Sequence, residues 1–108
     1  MEKLNVAIAD DNEKMVEMLG KLIEEDNELE LVGKAHNGEE ICKIIRSKEP
    51  DVVVLDIIMP KVDGLSVMEK MNHDRSIKKM PSFIVVSAVG QERITEDAFN
   101  LGADYYVL

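Results

Sequence analysis

The sequence predicts an α/β fold built on a doubly wound, five-stranded parallel sheet. Apolar runs rich in β-branched residues alternate along the chain with segments whose apolar residues recur at helical spacing. The central run, Val52–Leu55, is apolar throughout, which is typical of a parallel strand buried on both faces. Five such runs separated by four helical segments indicate an open sheet covered by helices on both sides.

Length and composition narrow the class of protein. At 108 residues, the chain has room for one domain with a single core. Acidic residues outnumber basic ones by 22 to 13, and the net charge of -9 disfavours direct contact with nucleic acid or with an anionic membrane surface. The lone Cys42 cannot form an internal disulfide, and no apolar run reaches the roughly 20 residues that span a bilayer. These features predict a cytoplasmic protein.

The first strand is predicted at Leu4–Ala9. Asp10, Asp11 and Asn12 follow it, and residues of these types end strands and cap helices. The next segment has the helical pattern, and its predicted buried stripe is Met15, Met18, Leu19, Leu22 and Ile23. In the second strand, apolar and acidic residues alternate from Glu28 to Leu31. One wet face of this kind predicts a strand at the edge of the sheet.

The remaining predicted elements follow in the same alternating order. The second helix begins after Asn37, an N-cap with Glu40 at the capping-box position. The third helix begins near Gly64, and a fourth runs from about Glu92 to Gly102, a usual C-terminal cap. The predicted buried residues of the second and third helices are Ile41, Ile44, Ile45, Leu65, Val67, Met68 and Met71. The fourth and fifth strands are Phe83–Val86 and Tyr105–Leu108.

The flavodoxin-like strand order 2-1-3-4-5 accounts best for these elements. Only an order in which strands one and three are adjacent brings Asp10 and Asp11 beside Asp56, the residue that follows the central apolar run. This order also assigns the half-polar second strand to an edge. Right-handed crossovers then place the loops after strands one, three, four and five on one rim of the sheet.

Three carboxylates are therefore expected to meet at that rim. Each like-charged pair at ~4 Å costs roughly 4 kcal/mol at an effective dielectric constant near 20, so a proton or a cation must relieve the repulsion. All-oxygen ligands suit Mg²⁺, and a phosphate held there can be presented to the carboxylate of Asp56 as nucleophile. Taken singly, Asp10–Asn12 would be a helix cap and Ser87, at the end of the fourth strand, a turn residue. Their convergence on one rim favours a functional site.

Four motifs support a resemblance that covers essentially the whole chain. They are Ala9–Asn12, Val54–Pro60 together with Asp63-Gly64, Ser87-Ala88, and Gly102-Ala103 before the last strand. With these motifs the chain resembles the receiver domain of bacterial two-component response regulators. Within that family, Asp56–Pro60 together with Gly90-Gln91-Glu92 is most similar to receivers of regulators that control sporulation in endospore-forming bacteria.

The resemblance implies a role for each residue that matches a family motif. The expected phosphoacceptor is Asp56, the expected Mg²⁺ ligands are Asp11, Asp56 and the backbone carbonyl of Ile58 with Asp10 acting through water, and the expected switch residues are Ser87 and Tyr106. A histidine kinase or a histidine phosphotransferase is the implied phosphodonor. The implied recipient of the signal is an output domain that binds DNA and regulates transcription. The chain is then a switch rather than an enzyme, limited to accepting the phosphoryl group and slowly losing it.

One departure from the family concerns the carboxyl end. The family places a lysine just after the fifth strand, and the sequence stops at Leu108, before that lysine and before the fifth helix of the fold. We therefore expect residues 1–108 to be a receiver domain that is truncated at its carboxyl end. Apolar surface left open beside the first helix would favour association, for example as a dimer with a swapped carboxyl-terminal helix.

Two other functions stay open on the residues alone. A haloacid-dehalogenase-type phosphatase also uses a strand-end Asp with Mg²⁺, but that family has a second Asp two residues later, where this chain has Ile58. A flavodoxin-like binding module that is never phosphorylated would be expected to have a Gly-rich phosphate loop, and the sequence has none.

Overall fold

The computed structural model describes residues 3–56, 64–86 and 103–107. The elements are β1 (Leu4–Ala9), α1 (Glu13–Glu25), β2 (Leu29–Ala35), α2 (Gly38–Lys48), β3 (Val52–Asp56), α3 (Gly64–His73), β4 (Ser82–Val86) and β5 (Ala103–Val107). The five strands form one sheet in the order β2-β1-β3-β4-β5, and every pairing is parallel. The predicted fold class and strand order are therefore confirmed. The fourth helix predicted between Glu92 and Gly102 lies outside the described residues.

Two apolar layers form because successive strand residues point to opposite faces of the sheet. On one face, Val53 and Leu55 of β3 pack with the buried sides of α2 and α3, including Ile41 and Met68. On the other face, Val52 and Val54 pack against a smaller cluster that contains Val16 of α1. The central strand is thus buried on the face toward α2 and α3 and half-buried on the face toward α1, so the predicted burial on both faces is confirmed in part. None of the helices in the described ranges is long and apolar enough to cross a membrane.

The predicted stripe of α1 is partly wrong. Its buried residues are Val16, Gly20 and Ile23, whereas Met18 and Leu22 are 52% and 60% exposed. Positions 16, 20 and 23 lie one helical turn apart on the face toward the sheet. Gly20 allows a close approach there, since a Cβ atom at this position would lie 3.1 Å from Cε of Lys34 on β2. The prediction was right for Ile23, which is buried, and for Leu19, which packs against the core, and it was wrong for Met18 and Leu22.

The helices α1 and α2 both begin at an asparagine N-cap, but the Glu40 side chain accepts a hydrogen bond from the His36 N–H at 3.0 Å rather than from the Asn37 N–H of the predicted capping box. The Asn12 side chain accepts hydrogen bonds from the N–H groups of Lys14 and Met15 at 3.0 and 3.2 Å. At the start of α2, the Asn37 side chain accepts from the Glu40 N–H at 3.0 Å. Such caps satisfy donors that have no partner within the helix, which explains why both helices begin where they do.

Candidate functional site

Three carboxylates converge at the carboxyl ends of β1 and β3. Asp56 is the last residue of β3, and Asp10 and Asp11 follow directly after β1. The ladder between these strands pairs Ala9 with Leu55, so the next residues, Asp10 and Asp56, follow side by side at the same end of the sheet. One carboxylate oxygen from each aspartate lies within 4.8 Å of the other two. The strand order thus produces the cluster that the sequence predicts.

The three side chains differ in their surroundings. Asp10 is only 8% exposed, and its Oδ1 accepts a hydrogen bond from the Asn12 N–H at 2.9 Å. The Asp10 N–H donates to the Ala35 carbonyl at 3.1 Å, which ties this residue to the end of β2. Asp11 is exposed and Asp56 is half-buried. Asp10 is therefore held by the fold, while Asp11 faces solvent beside the end of the central strand.

The electrostatics of the cluster favour a cation. Unit negative charges about 4.8 Å apart repel by roughly 3–4 kcal/mol per pair at an effective dielectric constant near 20. A divalent cation reverses the sign of this interaction, and three carboxylate oxygens at this separation can approach a single ion. Mg²⁺ is a hard cation that takes oxygen ligands and commonly retains waters beside one or two carboxylates. The chemistry of the donor set therefore fits the predicted Mg²⁺.

The other predicted site residues are only partly described. Ile58 and Ser87 lie outside the described residues. Tyr106 belongs to β5, where its backbone pairs with that of Val85 on β4. Tyr106 therefore lies on β5, which is the neighbour of β4. Ser87 follows β4 in the sequence.

Sequence reasoning assigned no role to Asp51, which lies at the opposite end of the sheet, where the strands begin. Its Oδ2 accepts a hydrogen bond from the Asn5 N–H at 2.8 Å, and its Oδ1 accepts from the ammonium group of Lys79. The available signal was its position in the sequence: Asp51 precedes Asp56 by the same number of residues as Asn5 precedes Asp10. This position can be interpreted only when the register of β3 against β1 is known.

Comparison with known proteins identifies the class. The family model described as the response regulator receiver domain matches residues 6–108, and the chain belongs to this family. Receiver domains of this family serve phosphorylation-dependent signalling in two-component systems. The family therefore agrees with the resemblance seen in the sequence motifs.

Solved structures support this identification. The chain is similar to the signal receiver domain of the putative response regulator NarL from Mycobacterium tuberculosis, with 28% identity, a TM-score of 0.90, and coverage of 100% of this chain and 85% of that one. It is also similar to a LuxR-family DNA-binding response regulator from Staphylococcus aureus, with 28% identity, a TM-score of 0.87 and coverage of 97% and 85%. A third match is the CheX–CheY–BeF3–Mg²⁺ complex from Borrelia burgdorferi, with 28% identity, a TM-score of 0.85 and coverage of 99% and 78%.

Proposed function

We propose that this receiver is a switch in which Asp56 accepts a phosphoryl group from a phosphohistidine of a histidine kinase or a histidine phosphotransferase. The observation that carries the proposal is the place of Asp56 at the end of the central strand, with its carboxylate oxygen within 4.8 Å of those of Asp10 and Asp11. Half-burial of Asp56 limits the directions from which a donor can approach it. Family membership supplies the independent support.

The proposed transfer balances without a further reactant. A carboxylate oxygen of Asp56 attacks the phosphorus, an O–P bond forms, and the P–N bond to the donor imidazole breaks. The electron pair of the broken bond stays on the imidazole nitrogen, which then takes a proton. Loss of the signal is attack by water on the aspartyl phosphate, which releases inorganic phosphate and restores the carboxylate.

The residues that would hold Mg²⁺ are Asp11, Asp56 and the backbone carbonyl of Ile58, with Asp10 acting through water. When bound, the ion would neutralise charge on the phosphoryl oxygens. The contrast between a buried, hydrogen-bonded Asp10 and an exposed Asp11 supports giving Asp11 the direct contact. The Borrelia burgdorferi relative was solved in a complex with Mg²⁺, which supports the choice of ion.

The proposed readout uses Ser87 and Tyr106, which respond to the phosphoryl group and pass the signal to an output domain. The LuxR-family relative from Staphylococcus aureus is a DNA-binding response regulator, which supports an output domain that binds DNA and regulates transcription. Sporulation as the process controlled rests on Asp56–Pro60 and Gly90–Glu92 alone. A dimer with a swapped helix stays a prediction, and the exposed Met18 and Leu22 on α1 are the apolar residues that it would cover.

The test is phosphorylation by a small acyl phosphate. Incubation with acetyl phosphate and Mg²⁺ should add the mass of one phosphoryl group, and neutral hydroxylamine should remove it because the linkage is an acyl phosphate. Asp56→Asn should gain nothing. Asp26→Asn is the matched control, since Asp26 lies at the far end of α1 and its side chain accepts a local hydrogen bond from the Glu28 N–H. Equal labelling of the parent and Asp56→Asn would overturn the assignment.

A further inference from the structure

Asp51 connects the amino-terminal ends of three strands, at the end of the sheet opposite the carboxylate cluster. Its N–H donates to the Asn5 carbonyl at 2.8 Å, and its carbonyl accepts from the Ser82 N–H at 2.9 Å. Its Oδ2 accepts from the Asn5 N–H at 2.8 Å, while Oδ1 accepts from Lys79. We call this group, Asp51 with Asn5, Ser82 and Lys79, the amino-edge clamp. It joins the amino ends of β1, β3 and β4.

The carboxylate of Asp51 stands in for a backbone acceptor. In a continued parallel ladder, the Asn5 N–H would donate to a carbonyl of the segment that precedes Asp51. That segment has already turned away, because Glu49 caps α2 in the left-handed conformation with φ 48° and ψ 57° and Pro50 follows. The side chain of Asp51 supplies the acceptor instead. The hydrogen bond from Lys79, followed by that from Asn5, lowers the pKa of Asp51, so the accepting carboxylate form is favoured.

The amino-edge clamp and the carboxylate cluster lie at opposite ends of the ladder between β1 and β3. Asn5 and Asp51 are 46 residues apart, and the same offset holds through the ladder up to the pair of Ala9 with Leu55. Asp10 and Asp56 are the next residues at that offset. This ladder contains no shift, whereas the ladder between β1 and β2 is interrupted between Val6 and Ala7.

Register decides whether the aspartates meet. A slip of one residue between β1 and β3 would move Asp56 by about 3.3 Å along the strand and turn its side chain to the opposite face of the sheet. We propose that Asp51 is a positioning residue, which sets the register of β3 against β1 and so holds Asp56 beside Asp10 and Asp11. That the positioned cluster binds Mg²⁺ and accepts phosphate is the proposed function on which this inference rests.

Mg²⁺ affinity provides the first test. Calorimetric titration with MgCl₂ should show binding weakened about tenfold in Asp51→Ala, the scale seen when groups that orient metal ligands are removed. Asp51→Asn keeps an oxygen acceptor for the Asn5 N–H and should bind as the parent does, and so should the control Lys79→Ala. The lost charge itself has little direct effect, since Asp51 lies about 16 Å along β3 from Asp56, beyond the ~8 Å screening length in physiological salt. Parent-like affinity in Asp51→Ala, or equal weakening in Asp51→Asn, would overturn the proposal.

A second readout needs no metal. Hydrogen exchange at the site end of the ladder, at Ala9 and Leu55, should be faster in Asp51→Ala than in Lys79→Ala at a temperature where both are folded. If Ala9 and Leu55 exchange in Asp51→Ala as slowly as they do in the parent, Asp51 does not set the register of β3 against β1. If Asp51→Ala does not fold, Asp51→Glu takes its place, because the glutamate carboxylate is displaced by one methylene. Parent-like Mg²⁺ affinity in Asp51→Glu would contradict the proposal. Failure of the parent to bind Mg²⁺ or to be phosphorylated would overturn the proposed function, while the exchange comparison would still decide the role of Asp51.

Discussion

Asp56 is paired in the parallel ladder with Val86, the last residue of β4. The next residue of the sequence is Ser87, which lies outside the described residues. On the far side of β4, Tyr106 pairs with Val85. In the sheet, β4 therefore lies between the strand of Asp56 and the strand of Tyr106, and we propose that the signal passes across these neighbouring strands.

The first prediction concerns this route. Ser87→Ala should accept a phosphoryl group about as well as the parent, because the proposed nucleophile is the carboxylate of Asp56. The variant should lose the structural response, since a switch needs phosphate to favour one of two arrangements. Backbone chemical shifts of β5, recorded before and after phosphorylation, measure the response, and Ser82→Ala at the opposite end of β4 is the control. A full chemical-shift response of β5 in Ser87→Ala would contradict the role of Ser87 as a switch residue.

The second prediction concerns the crowded carboxylates. Asp11→Ala should raise the melting temperature of the metal-free protein, because one repelling charge is gone, and should lose most of the stabilisation by Mg²⁺. Asp10→Ala should keep more of the Mg²⁺ response, although loss of the hydrogen bond from the Asn12 N–H lowers its starting stability. Melting curves with and without Mg²⁺ give both quantities. An unchanged Mg²⁺ response in Asp11→Ala would exclude it as the direct ligand.

The third prediction concerns the packing of α2 on β2. A Cβ atom at Gly33 would lie 2.8 Å from Cγ2 and 2.9 Å from Cδ1 of Ile44, so Gly33→Ala should cost about 1–3 kcal/mol by overpacking. Ile44→Ala removes all three nearby carbon atoms of that side chain, and the double variant should therefore lose less than the two single changes added together. Urea unfolding provides the free energies. Strict additivity would contradict the predicted clash.

Gly20→Ala is the matched control for this change. Its Cβ would meet the Cε of Lys34 at 3.1 Å, and that atom belongs to the flexible end of a long side chain. Alanine is also preferred to glycine inside a helix by about 1 kcal/mol. Gly20→Ala should therefore be neutral or stabilising, and a loss as large as that of Gly33→Ala would show that Lys34 cannot move aside.

The fourth prediction concerns acid unfolding. Hydrogen bonds from Ser76 and then from Arg46 lower the pKa of Asp74 from 3.8 to about 2. A depressed pKa adds stability above the unfolded value, and this contribution is lost as the pH falls through the folded value. The stability difference between the parent and Asp74→Asn should thus be complete above about pH 4 and should shrink toward pH 2. Urea midpoints measured across this range test it. In Arg46→Gln the pH-dependent contribution should be smaller, because the hydrogen bond from Arg46 is lost, and part of it should remain, because Ser76 still donates.

The sequence by itself predicted the elements that the structure describes and their order in the sheet, while the fourth helix stays a prediction. Apolar alternation placed β1, β3 and the half-polar β2, and Asn12 and Asn37 marked the starts of two helices. These features are encoded within one or two turns of chain, so a local pattern suffices. The position of Asp56 at the end of the central strand could be predicted for the same reason.

Only the tertiary structure decided which side of α1 is buried and how far apart the aspartates lie. Val16 and Gly20 face the sheet while Met18 is exposed, because β2 approaches the helix at a glycine, which apolar spacing cannot reveal. The bond between Asp51 and Asn5, and the meeting of Asp10 with Asp56, each join residues 46 positions apart. Such contacts exist only once strands distant in the chain have paired in one register, and that register depends on packing across the whole sheet.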